Sequence, residues 1–144
     1  MILYLDTSAL AKRYIREAQT ATVMQWIEQA DLFGTSLITR AEMSAVIGRA
    51  YRMRAIGAAR AELILIGFRE RWPSYIRLPL TEGTVTRADK LAWEYGLRGY
   101  DAVHLASAVL WQEALEERVT IATYDRQLWE AAIQLGLDAL PAGW

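Results

Sequence analysis

The chain has 144 residues, a formal net charge of −1, 53% apolar and 23% charged residues and no cysteine. That size and balance suit one domain with a substantial core, and they exclude a disordered chain, a polycation spread over nucleic acid, a disulfide framework and any thiolate chemistry. The one histidine excludes a multi-histidine metal site, and the apolar N-terminal stretch meets Asp6 too soon for a leader peptide or a spanning helix, which predicts a cytoplasmic protein.

Residues 2–5, Ile-Leu-Tyr-Leu, have no polar position and predict a strand buried on both faces, ending at Asp6. Helices are predicted from Ser8 to Arg16 and from Thr20 to Ala30, followed by a short strand in "DLFGTS". Met43, Val46, Ile47 and Ala50 recur at helical spacing, Gly57 marks a break, and a second long helix ends before Pro73, so the two make an antiparallel pair. "YIRLPL" carries Pro79 and predicts a short strand near an edge. Thr81 starts a helix that Gly96 ends, and another runs from Asp101 through "AVHLASAVLWQEALEE". The strand "RVTIAT", a helix from Arg126 to Leu135 stopped by Gly136, and a last strand at "LDAL" complete the order. Strands separated by helices predict a parallel sheet covered on both faces.

Asp6, Glu42, Asp101 and Asp125 each fall where a strand ends or a helix begins. In a parallel sheet those ends share one edge, where ligands bind. Helix capping explains each position equally well: Asp6 and Asp125 as N-caps, Thr39 with Glu42 as a capping box, Asp101 at its helix start. Capping does not, however, require negative charge at four starts on one edge. Gathered carboxylates repel, and a divalent cation is the economical compensation. Mg²⁺ or Mn²⁺, hard ions that take oxygen ligands, match a chain without thiols, and they would support in-line phosphoryl displacement. The hydroxyls of Thr7, Ser8 and Thr123 lie close by in sequence, to orient ligands or to cap.

All but Lys12 and Lys90 of the 16 basic residues are arginine, and Arg49, Arg52, Arg54 and Arg60 crowd one stretch, a solvated face or a phosphate-binding patch. Arg40 and Arg98 flank acidic blocks and are candidate contacts to RNA phosphate. His104, three residues after Asp101, reads as packing or as support for the site. Trp26, Trp93, Trp111 and Trp129 occupy apolar helix positions and read as core.

"YLDTSALAKRY", "TSLITRAEMSAV", "LRGYDAVHLASAV" and "VTIATYDRQLWEAA" resemble, in order and over nearly the whole length, the PIN-domain ribonucleases, most closely the VapC-type toxins of toxin–antitoxin pairs. The resemblance implies a single domain over residues 1–144 with a three-layer α/β/α fold around a short, mainly parallel sheet, and an endoribonuclease dependent on Mg²⁺ or Mn²⁺. It implies Asp6 and Asp101 as the main metal ligands, Glu42 as a ligand or an aid to water activation, and Asp125 completing the pocket, with Thr7 or Ser8 and Thr123 at the accompanying hydroxyl positions. It also implies a homodimer held inactive by a cognate antitoxin. The apolar surplus of Met43, Ile47, Tyr51, Ile56, Leu63 and Leu65 between Ile38 and Trp72 fits such a surface.

Other readings fare worse. An aspartyl-phosphate phosphatase needs a second acid where Ser8 stands, and a receiver domain needs a late lysine, whereas the last here is Lys90. A catalytically silent PIN-like module that binds RNA or protein is the remaining alternative. Such a module would tolerate Asp6→Asn and Asp101→Asn.

Overall fold

The computed structural model describes all residues, Met1–Trp144. The elements in order are β1 (Ile2–Leu5), α1 (Thr7–Tyr14), α2 (Thr20–Gln29), β2 (Leu32–Ser36), α3 (Thr39–Arg52), α4 (Ala58–Arg71), a 3₁₀ turn (Trp72–Ser74), β3 (Ile76–Leu78), α5 (Glu82–Tyr95), α6 (Gly99–Leu115), β4 (Val119–Ala122), α7 (Arg126–Gln134) and β5 (Asp138–Leu140). The five strands are ordered β3-β2-β1-β4-β5 and every pairing is parallel. β3 is indeed an edge strand, and Pro79 lies just beyond it.

Alternation along β1 divides the core. Ile2 and Tyr4 point to the layer built by α5, α6 and α7, where Leu91, Leu105, Val109 and Leu128 pack. Leu3 and Leu5 point to the opposite layer, with Leu10, Val23, Met43, Ile47 and Phe68 of α1 to α4. Burial of both faces is why β1 has no polar residue. Truncating fully buried Phe68 to Ala would cost about 3–5 kcal/mol.

The helix ends follow local chemistry. Thr81 caps α5 by accepting from the Thr84 N–H, with a reciprocal bond from the Thr81 N–H to the Thr84 hydroxyl. Gly96 ends α5 at φ 64°, a left-handed conformation that suits glycine. Several helix boundaries differ from expectation: α1 begins at Thr7 and stops at Tyr14, because Ile15 turns extended, α2 and α7 each end one residue early, and α6 begins at Gly99, two residues before Asp101.

The tryptophans need a correction. Trp111 is buried and Trp26 stacks on Tyr124, but Trp93 is 92% exposed. Thr84, Ala88 and Leu91 define the buried stripe of α5, and two residues past Leu91 is the opposite side of a helix. The α3–α4 pair is likewise divided. Met43 and Ile47 are fully buried, whereas Tyr51, Met53, Leu63 and Ile66 are exposed. Arg49, Arg52, Arg54 and Arg60 all face solvent. No helix is long and apolar enough to cross a membrane.

Candidate active site

The chain order runs outward from β1 to β2 and β3, then crosses to β4 and β5, so the direction of winding switches beside β1. The crevice at the carboxyl ends of the strands is the natural ligand site of such a sheet. Here it is a cleft of about 170 Å³ lined by Asp6, Thr7, Ser8, Glu42, Val46, Arg98, Tyr100, Asp101, His104 and Asp125. The expected acids, from four separate segments, therefore share one cleft.

Asp6 both caps and lines the cleft. Its Oδ1 accepts from the Ala9 N–H at 2.8 Å and from the Ser8 hydroxyl at 2.7 Å, while Oδ2 accepts from the Thr123 hydroxyl at 2.6 Å. Each hydroxyl is fixed by a further bond, for Ser8 accepts from the Tyr124 N–H and Thr123 from the Asp125 N–H. Thr123 thereby ties the end of β4 to the end of β1. Burial pushes the Asp6 carboxyl above its ordinary range, against the lowering pull of His104, Thr123, Ala9 and Ser8.

Glu42 is not half of a capping box. Ile38 is the N-cap of α3, and the Thr39 hydroxyl pairs with Thr35 at 2.7 Å. Glu42 instead takes the Thr7 hydroxyl on Oε1 at 2.8 Å and His104 Nε2 on the same atom at 2.6 Å. His104 is buried, and its Nδ1 lies 2.7 Å from the Tyr4 hydroxyl. Burial raises the Tyr4 phenol far above its ordinary value, so it keeps its proton. A Tyr4 O–H donated to Nδ1 leaves the ring proton on Nε2, directed at Glu42. Burial raises the Glu42 carboxyl, but the hydrogen bonds from His104 and Thr7 outweigh it, so the net direction is down. The sequence suggests packing or support for His104; the structure makes it the link between the β1 core and a site carboxylate. Its spacing from Asp101 was visible, whereas its pairing with Tyr4 and Glu42 exists only after folding.

Asp101 is the third residue of α6 and does not cap it, since Arg98 holds that position without a side-chain bond. Burial raises its carboxyl, and the charges of Asp125 and Asp6 add to the rise while Arg98 opposes it. Asp125 is a true N-cap, Oδ1 accepting from the Leu128 N–H at 2.9 Å. Arg98 joins this pair: Nε donates to Asp101 Oδ2 and Nη2 to Asp125 Oδ2, each at 2.9 Å. Arg40 lies outside the cleft, in a depression with Leu37, Ala41, Ser44 and Arg69.

As arranged here, no three of the Asp, Glu and His groups close on one point as metal ligands do. The donor chemistry nevertheless fits a hard divalent cation. All four acids offer oxygen, Glu42 Oε2 and Asp101 Oδ1 take no protein hydrogen bond, and the ionised Asp6 and Asp101 are burdened by burial with too little compensating charge.

The PIN domain family model matches residues 3–134. Ribonuclease VapC47 of Mycobacterium tuberculosis is 30% identical over 146 residues, spanning 99% of this chain and 98% of that one. Ribonuclease VapC45 of the same species is 26% identical over 141 residues, spanning 98% and 96%. Among solved structures, FitAcB from Neisseria gonorrhoeae superposes with a TM-score of 0.69 at 19% identity, covering 96% of both chains. VapBC-1 from nontypeable Haemophilus influenzae does so at 0.63 and 17% identity, again over 96% of both. With a matching sequence model over most of its length, a full-length VapC relative and the same fold, the chain belongs to the PIN-domain family, among the VapC-type members.

Proposed function

We propose that the protein is an endoribonuclease of the VapC type, a single PIN domain that hydrolyses RNA phosphodiester bonds with Mg²⁺ or Mn²⁺ and serves as the toxin of a toxin–antitoxin pair. The observation that carries this reading is the gathering of Asp6, Glu42, Asp101 and Asp125 in one cleft at the strand ends. The ribonuclease names of the sequence relatives and the VapBC-1 structure support it.

Asp6 and Asp101 are the main ligands in this reading, with Glu42 and Asp125 completing the set. A divalent cation held there supplies a Lewis acid beside the scissile phosphate. The chain's own groups do the rest. Asp6 is locked by Ser8, Thr123 and the Ala9 N–H, so its orientation needs no rearrangement. Glu42 is turned by Thr7 and His104 so that Oε1 is occupied and Oε2 is free to accept a proton from water. The water oxygen joins phosphorus, the P–O bond to the leaving oxygen breaks, and that oxygen is protonated.

The antitoxin and a second copy of the chain are the proposed protein partners, and the exposed Tyr51, Met53, Leu63 and Ile66 of α3, α4 and their connection are apolar surface for such contacts. The test is incubation of total cellular RNA with purified protein in Mg²⁺, in EDTA, and with Asp101→Asn. Discrete products in Mg²⁺ alone are expected. Cleavage that persists in EDTA or in the variant overturns the carboxylate–metal reading, and absence of cleavage on every RNA offered favours a silent binding module.

A further inference from the structure

Arg98 is the one basic side chain lining the cleft apart from His104, and it spans both outer acids. Its guanidinium also lies over Tyr100, 4.8 Å from the ring centroid. Asp125 keeps its cap bond to Leu128 without Arg98, and the first turn of α6 sets the backbone of Asp101, whose carboxylate has Arg98 as its one hydrogen-bond partner. What Arg98 supplies is positive charge, from a side chain 59% exposed that can leave without unpacking the core.

We infer that Arg98 is a tethered counter-cation: it holds the Asp101–Asp125 pair against entry of a divalent cation, and cation binding releases its guanidinium to RNA phosphate. The inference rests on the reading of the cleft as a divalent-cation nuclease site. The direction of the effect follows from two terms that add. Removing a positive charge beside two carboxylates makes the cleft more negative, and it frees one oxygen on each for an ion. The opposing term, loss of order, falls on the Asp101 carboxylate alone, since Asp125 keeps its cap bond. Once released, a planar guanidinium matches the oxygens of a phosphate with two parallel donors, which an ammonium does not.

The experiment titrates Mn²⁺, followed by electron paramagnetic resonance without RNA, into the full chain and its Arg98→Met, Arg98→Lys and Asp101→Asn variants. Met keeps an apolar stem over Tyr100 and removes the charge. Mn²⁺ is expected to bind Arg98→Met about tenfold more tightly than the wild type, with Arg98→Lys between them, the loss of two exposed charge-assisted hydrogen bonds. Equal or weaker binding by Arg98→Met, with Asp101→Asn still weakening it, overturns the counter-cation role alone. If Asp101→Asn leaves Mn²⁺ binding unchanged, the nuclease-site reading fails and the inference falls with it. At saturating Mn²⁺, KM for RNA is expected to rise several-fold in Arg98→Met, and an unchanged KM overturns the phosphate contact.

Discussion

Asp6 and Glu42 make one half of the cleft, Asp101 and Asp125 the other, and different kinds of group hold them. The first pair is held by hydroxyls, an imidazole and a backbone N–H, all short side chains or main chain rooted in buried structure. Beyond one cap bond, the second pair is held by a long, exposed guanidinium. Neutral donors orient a carboxylate and leave its charge in place for a ligand, whereas a guanidinium cancels the charge until it is displaced. The inner half is therefore preformed, and the outer half is governed by a counter-charge.

The largest break in that comparison comes from removing one ligand charge on either side. Asp6→Asn and Asp101→Asn are each expected to lower RNA cleavage by about 10³-fold, the scale for losing an electrostatic group aimed at the reacting centre. Single-turnover cleavage of one defined RNA measures it. If one variant retained near wild-type cleavage, the half it belongs to would be structural.

The inner half's support is tested next. His104→Leu leaves Glu42 with only Thr7 and strands the Tyr4 hydroxyl, so a loss of about 10–100-fold in kcat is expected, the usual effect of removing a group that orients a ligand. A stability cost of about 1–3 kcal/mol should accompany it. His104→Gln retains an N–H donor and should recover most of kcat. Equal kcat losses in the two variants would show that His104 acts by packing alone.

These same residues show what was legible beforehand. The succession of strands and helices along the chain, the edge position of β3, the caps at Thr81 and Gly96 and the convergence of the acids were readable, because each rests on local composition or on the geometry common to parallel sheets. For Asp6 and Asp125, cap and site turned out to be compatible, since capping occupies only part of a carboxylate. For Glu42 the capping box was wrong because the Thr39 hydroxyl has a better partner, Thr35, on a neighbouring strand. The bonds of Arg98 to the acids were only partly legible: its pairing with Asp101 is local, but its bond to Asp125 joins residues 27 apart. Trp93 was misplaced although the stripe of Thr84, Ala88 and Leu91 already excluded it from the buried side.

Charge burial gives a smaller effect with a definite sign. The Asp6 carboxyl, raised in the fold, costs stability when ionised; the cost is absent below its unfolded value and appears as pH rises through the folded one. In EDTA, the stability of wild type relative to Asp6→Asn should shift toward wild type as pH falls from neutrality toward the unfolded carboxylate value of about 4. Urea unfolding of both proteins at each pH measures it. Comparing the two proteins cancels the opposite contribution of Glu42, whose lowered carboxyl stabilises the fold above its unfolded value and loses that contribution as pH falls. A gap that does not move with pH would mean that Asp6 carries no burial cost.

The smallest expected effect separates the support of Glu42 from the core beneath it. Tyr4→Phe keeps the ring that packs against α6 and removes only the hydroxyl on His104 Nδ1. The imidazole then has an unpaired Nδ1 in an apolar setting, worth about 1 kcal/mol of stability. Its Nε2–H still reaches Glu42, so kcat should fall only a few-fold and KM for RNA should stay put. A kcat loss as large as that of His104→Leu would instead mean that the Tyr4 proton dictates which ring nitrogen faces the carboxylate. Orientation of Glu42 would then be set inside the sheet, at β1, rather than on α6.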